Sequence, residues 1–230
     1  MEASLVGSEM CIRDRYWRLH LEFGMTHRVI LASASPRRAE LLAQLGVCFD
    51  VLPQALDETP KSGEKATELS LRLADAKAQS ALESAGDAAV LVLGSDTVVS
   101  VDDMLLGKPV SADDAARMLV QLSGRIHRVC TAVSLASRES SASLLCETKV
   151  QFRQITESEA RAYWNTGEPE GKAGGYAIQG FGAVFVESIS GSYSGVMGLP
   201  LFETAALLVE FGVPLWQLPA AVCETDGAEP

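Results

Sequence analysis

Several short stretches of this chain carry residue types that could hold and cleave a phosphate chain. The first is Ser33-Ala34-Ser35-Pro36-Arg37-Arg38, which places hydroxyls and two guanidiniums where Ser35-Pro36 marks the start of a helix. A helix N-terminus offers unsatisfied backbone N–H groups and arginine offers a planar fork, so both suit phosphate. Two cations in a first turn also run against the helix dipole unless an anion binds there. A capped helix with solvated arginines would have the same sequence. The second stretch is Gly94-Ser95-Asp96-Thr97, at the end of the most apolar run of the chain. A carboxylate beyond the carboxyl end of a buried strand sits where open α/β sheets place ligands. Asp96 could there take a proton from water or bind a divalent ion, or it could simply cap a turn.

Asp57-Glu58, ahead of Thr59-Pro60, could add oxygen ligands or form a polar turn. With Asp96 they make a set suited to Mg²⁺, a hard cation that keeps several waters. Zinc is not expected, because His20, His27 and His127 form no ligand cluster. Lys77 and Lys108 are the candidate phosphate neutralisers outside the first loop. Lys77 lies beside a helical apolar stripe, where an ammonium must find a partner or snorkel. Lys108 is held between Gly107 and Pro109, as an active-site cation or as a surface loop charge. Lys172–Gly182 reads KAGGYAIQGFG. Its glycines permit close backbone approach, Tyr176 offers a ring and a hydroxyl, and Gln179 offers an amide that both donates and accepts. Such a segment could read a nucleobase edge, or serve only as a glycine-rich structural loop. It is neither a dinucleotide-binding fingerprint nor a Walker loop. Ser194 in Ser192-Tyr193-Ser194-Gly195 is not G-x-S-x-G, so a serine-hydrolase reading fails.

Positioning these groups takes strands mixed with helices. Strands are expected at Arg28–Ser33, Val47–Leu52, Ala89–Leu93, Arg128–Leu135 and Leu144–Phe152, with Val98-Val99 beyond the Asp96 turn. Helices are expected from Ser35-Pro36 to Gly46, over Glu64–Leu82 and Asp113–Leu122, from Thr156 to Gly167, and over Leu201–Phe211. Short strand-like pieces fill the chain between Gly175 and Ser194. The order lacks regular βαβ repetition, which predicts an α/β fold with a mixed sheet and two lobes.

The 230 residues, 47% of them hydrophobic, can bury one domain or two lobes sharing a core. A net charge of −11 argues against a nucleic-acid polymer as partner, though a local basic pocket could still take a small polyanion. Five cysteines without a C-x-x-C pair read as reduced thiols of an intracellular protein. No apolar run is long enough to cross a bilayer, so no membrane partner is expected. Residues 1–24 carry Gly7-Ser8-Glu9-Met10-Cys11-Ile12-Arg13-Asp14-Arg15, which leads into no strand or helix and reads as an added segment or gene-model artefact. Its acids make it a poor transit peptide. The domain is expected over 25–213, with 214–230 as a tail.

Taken in order, Val29-Ile30-Leu31-Ala32-Ser33, SPRRAELLAQLG, DETP, RLADAKA, GSDTVV, GKP, LSGRIHRVCTAV, KAGGYAIQGFGAVFV and GSYSGVMGLPLFET resemble the Maf family of nucleoside triphosphate pyrophosphatases, historically septum-formation inhibitors. The resemblance runs from Met25 to about Phe211. It implies a Maf/inosine triphosphatase-like α/β fold, a mixed twisted sheet whose two lobes flank a cleft. It implies cleavage between the α and β phosphates, with Mg²⁺ or Mn²⁺, in a cytoplasmic homodimer. By matching position, Asp96 is the catalytic acid/base, while Ser33, Arg37, Arg38, Lys77 and Lys108 grip phosphates. Asp57, Glu58 and Asp96 are the candidate metal ligands, with aspartate at Asp57 where glutamate is common. Arg37, Thr97 and Gln179 match the dTTP/UTP branch, and a neutral Gln179 suits an uncharged pyrimidine. A 7-methyl-GTP or broader pyrophosphatase, or a non-catalytic nucleotide-binding regulator of division, are the alternatives.

Overall fold

The computed structural model describes residues 28–86 and 90–216. The segment 1–24, Met25, His20, His27, Cys11, Cys223, Ala89 and the tail beyond 216 lie outside the described residues. A seven-stranded sheet runs in the order β2-β1-β3-β5-β6-β7, with β4 hydrogen-bonded to β3 off that path. The strands are β1 (Arg28–Leu31), β2 (Phe49–Val51), β3 (Val90–Val101), β4 (Met104–Leu106), β5 (Ile126–Ala136), β6 (Ser141–Phe152) and β7 (Val186–Ser190). The helices are α1 (Pro36–Ala43), α2 (Ala66–Ala85), α3 (Ala112–Leu122), α4 (Glu157–Trp164), α5 (Tyr193–Met197) and α6 (Leu201–Glu210). Strands β2, β1 and β3 are parallel, and all later pairings are antiparallel, so the sheet is mixed.

The expected strand ending at Leu93 is corrected. β3 continues through Asp96 to Val101 and is buried almost throughout. Its ladder with β5, from Val92↔Ala136 to Ser100↔Arg128, carries it across the polar Gly94-Ser95-Asp96-Thr97. Alternation along β3 sends Val90 and Val92 into a cluster under α2, with Ala78, Ala81 and Leu82. Leu91 and Leu93 go into the opposite cluster, with Leu42 of α1 and Leu207 and Leu208 of α6. Farther along, Val99 and Val101 join Leu119 of α3, Phe152 of β6 and Tyr163 of α4 in a third cluster. Two lobes with distinct cores therefore share one central strand.

The helix ends follow local chemistry. Gly86 closes α2 in the left-handed conformation, where glycine has no Cβ penalty. Thr156 opens α4 with a reciprocal capping box to Glu159. Ser35 precedes α1 but makes no side-chain cap; its own N–H donates to Ser33 Oγ at 3.2 Å. Of the stretch after Gly175 expected as strand-like pieces, only β7 is a strand; Phe181–Phe185 is a 3-10 turn, and another, Ala173–Gly175, precedes the stretch. The three described cysteines, Cys48, Cys130 and Cys146, are unpaired. No described helix is long and apolar enough to cross a membrane.

Candidate active site

A gap in the sheet makes the cleft. On one edge, β3 pairs with β1 as far as Leu31↔Leu93 and with β4 only from Val99↔Leu106 onward. Among the described residues no strand pairs with that edge of Gly94–Val98. The cleft opening there has a cavity of about 700 Å³, lined by Ser33, Arg37, Arg38, Glu58, Lys77, Asp96, Thr97, Lys108 and Gln179, among others. That volume is within the range of ligand sites. Asp96 thus lies beyond the carboxyl end of β1 but in the middle of β3, a more rigid mounting than the expected turn.

Lys77 stands at the centre. Its Nζ donates to Asp96 Oδ1 at 2.6 Å and to Glu58 Oε1 at 2.6 Å, and both Lys77 and Asp96 are buried. Lys108 Nζ donates to the other oxygen of Glu58, also at 2.6 Å. These pairs answer whether Lys77 snorkels: it is buried and paired with both acids. Burial pushes the pKa of Asp96 above its ordinary value, against the pull of Lys77 and Arg38. On Glu58 burial also opposes charge, but hydrogen bonds from Lys108 and Lys77 outweigh it and hold the carboxyl at about 2. Two carboxylates of one cleft therefore differ in proton affinity, the higher belonging to the more buried one.

Helix α2 reaches this position because β3 has a glycine facing it. A Cβ on Gly94 would lie 2.7 Å from Ala78 N, and closer still to the Ala74 carbonyl oxygen. Ala74 and Ala78 are themselves fully buried. The bare backbone lets the alanine face of α2 pack against β3, with Lys77 set beside Asp96. Arg72, on the same helix, was not singled out by its sequence context. Its Nε donates to Glu64 Oε1 at 2.6 Å, and its Nη2 to Glu64 Oε2 at 2.8 Å and to the Thr59 carbonyl at 3.2 Å. It straps the loop that carries Glu58 onto α2.

The two arginines of the first loop are used differently. Arg38 donates to the Gly198 carbonyl at 2.8 Å, to Ser33 Oγ at 3.2 Å and to Thr97 Oγ1 at 3.2 Å. It ties the first loop, β3 and the turn after α5 together, and burial lowers its pKa despite the nearby Asp96 and Glu58 charges. Thr97 Oγ1 also lies 3.1 Å from Thr131 Oγ1, which bonds the Gly195 carbonyl at 2.7 Å. Arg37 instead reaches across the cleft and donates from Nη1 to Gln179 Oε1. The other candidate base reader, Tyr176, is only 5% exposed. Its hydroxyl meets His127 Nε2 at 2.8 Å, and its ring packs edge-on against Phe152, so it forms wall and core. His127 is a buried structural residue whose pKa falls to about 4 on desolvation.

The candidate metal ligands do not all converge. Asp57 is exposed and outside the cleft lining; its Oδ1 accepts from Thr59 N–H at 2.9 Å. Among the described residues no cluster of three or more His, Cys, Asp or Glu could cage an ion. Mg²⁺ does not require such a cage: it binds one or two carboxylates and takes its remaining ligands from water and substrate phosphates. Asp96 and Glu58, already converging on one cation in Lys77, fit that pattern.

A family model described as Maf-like protein matches residues 28–211. A dTTP/UTP pyrophosphatase of Vibrio vulnificus is 50% identical over 185 residues, covering 80% of this chain and 99% of the relative. One of Pseudoalteromonas atlantica is 52% identical over 182 residues, covering 78% and 95%. One of Methylobacillus flagellatus is 48% identical over 195 residues, covering 85% and 98%.

Proposed function

The chain belongs to the family of Maf-like proteins, and on that premise we propose that it hydrolyses dTTP and UTP to the nucleoside monophosphate and pyrophosphate. The observation that carries this reading is the meeting of Asp96, Glu58, Lys77 and Lys108 in one cleft with the Arg37–Gln179 pair. The chemistry needs a base for water, cations for the phosphate chain, and a neutral amide for the base.

Asp96 takes a proton from the water that attacks the α-phosphorus; the bond to the bridging oxygen breaks and pyrophosphate leaves with its electron pair. Lys77 and Lys108 exchange carboxylate partners for phosphate oxygens and offset the charge gathering on the leaving group. Arg37 adds a guanidinium from the first loop. Arg38 and Ser33 hold that loop in shape, and each keeps hydrogen-bonding capacity for phosphate. A divalent ion, Mg²⁺ or Mn²⁺, would be held by Asp96 and Glu58 and, when bound, would supply Lewis-acid neutralisation of the phosphates. With Gln179 Oε1 bonded to Arg37, its amide N–H₂ remains to donate to a carbonyl that thymine and uracil share. Thr97 acts on selectivity through Arg38, to which it is bonded.

The decisive assay incubates the protein with a nucleotide panel and Mg²⁺ or Mn²⁺, identifying monophosphate and pyrophosphate separately. Selective metal-dependent turnover of dTTP and UTP is expected. Preferential turnover of 7-methyl-GTP, or tight triphosphate binding without product, would overturn the reading. The functional unit is residues 25–213 acting as a homodimer. A chain beginning at Met25 should keep wild-type kcat/KM and show twice the monomer mass by light scattering.

A further inference from the structure

Building on the pyrimidine-nucleotide reading, we propose that Tyr163 and Glu168 form a clamp that fixes the segment 177–182 and so sets base selection by Gln179. Gln179 is exposed at the crest of this segment, next to the buried Ile178 but not itself packed into the core. Two side chains instead take the amides on either side of it. Ala177 N–H donates to Tyr163 Oη at 3.1 Å, and that hydroxyl donates onward to Glu168 Oε1 at 2.6 Å. Beyond Gln179, Phe181 N–H donates to Glu168 Oε2 at 2.9 Å and Gly182 N–H to Oε1 at 2.8 Å. Burial opposes charge on Glu168, but the Tyr163 hydroxyl and the two amides outweigh it and keep the carboxyl below its ordinary range. Both oxygens thus remain acceptors at neutral pH.

The clamp has a rigid mount. Tyr163 belongs to α4, is 5% exposed, and sets its ring edge-on to Phe185 at 5.1 Å. Lys172 Nζ donates to the Glu168 carbonyl at 2.6 Å, which ties the start of the glycine-rich segment to the same point. The segment's backbone lies close against both side chains. A Cβ on Gly180, whose φ is +131°, would lie 2.8 Å from Glu168 Cδ, and one on Gly182 would lie 2.6 Å from Tyr163 Oη. An amide discriminates between bases only if its donor and acceptor are held in place, since a loose carrier can turn to suit another base edge.

The test measures kcat and KM for UTP, dTTP and dGTP in wild type, Tyr163→Phe, Glu168→Gln, Gln179→Ala and the Tyr163→Phe/Gln179→Ala double variant. Tyr163→Phe keeps the ring and its packing, so it guards against Glu168→Gln failing to fold. We expect kcat/KM for UTP and dTTP to fall about tenfold in the single variants, chiefly through KM, with a matching loss of preference over dGTP. In the Gln179→Ala background, Tyr163→Phe should change that preference no further. An equal loss for all three nucleotides, or a preference unchanged in both clamp variants, overturns the clamp while leaving the proposed function standing. A wild-type protein that turns over neither UTP nor dTTP overturns the proposed function itself.

Discussion

A carboxylate that accepts a proton from water must be ionised, yet burial raises the pKa of Asp96 and Lys77 only partly offsets this. Activity should therefore fall with acidification through a single ionisation lying above the ordinary aspartate value of 3.8, seen as a unit-slope limb in the pH profile of kcat/KM. Asp96→Asn should lower kcat by roughly 10²–10⁴-fold while leaving the unfolding transition cooperative; a retained wild-type rate would remove Asp96 from the mechanism. Glu58 behaves oppositely. Its folded pKa of about 2 lies below the usual 4.5, so its ion pairs support the fold above pH 4.5 and that support is lost as pH falls towards 2. Urea unfolding of wild type and Glu58→Gln should show a stability gap at neutral pH that closes over this window. On the proposed role of Gln179, Gln179→Glu would place a charge beside the carbonyl edge of the base and should cut kcat/KM for both dTTP and UTP by about tenfold or more. At this scale the sequence was informative wherever a residue type is costly without a purpose: Lys77 near an apolar stripe, and Arg37-Arg38 in a first turn. It was silent about Tyr163, Glu168 and Arg72, because tyrosine, glutamate and arginine on a helix or after a turn are ordinary. Their partners at Ala177, Gly182 and Glu64 become neighbours only after folding.

The elements show why some of the plan was legible and some was not. The helical stripes of α2 and α3 and the apolar run of β1 have strong periodicity, and their positions agree with expectation to within a few residues. β3 misled because Gly94 and Asp96 are weak strand formers and Gly94-Ser95-Asp96 has turn composition, yet local propensity yields to a nine-pair ladder with β5. The segment after Gly175 misled in the other direction, since short apolar pieces between glycines do not distinguish strand from 3-10 turn. The glycine within β3 then acquires a definite role as the seat of α2. Gly94→Ala should force the helix outward from Ala74 and Ala78, at a cost of about 1–3 kcal/mol in chemical unfolding. It should also reduce kcat, because Lys77 travels with α2 and loses register with Asp96. A Gly94→Ala protein with unchanged stability and turnover would show that α2 is not held by this contact.

For the whole molecule, the sheet gap concentrates positive charge on an otherwise acidic protein. The chain carries a net −11, whereas the cleft lining holds five basic residues, Arg37, Arg38, Lys77, Lys108 and Lys172, against four acids, Glu40, Glu58, Asp96 and Glu170. A triphosphate approaching from solution meets repulsion at long range and attraction only inside. Salt separates the two, because the Debye length shrinks from about 30 Å at 0.01 M to about 10 Å at 0.1 M, while contacts within a partly buried cleft are screened far less. Raising ionic strength across that range with a non-coordinating salt, at fixed free Mg²⁺, should therefore lower KM for UTP by about two- to five-fold with kcat unchanged. Above about 0.1 M, further salt should begin to weaken the contacts of Lys108, which is exposed, and KM should turn upward. A KM that rises steadily from the lowest salt would mean that the field of the cleft, and not that of the whole surface, governs the encounter.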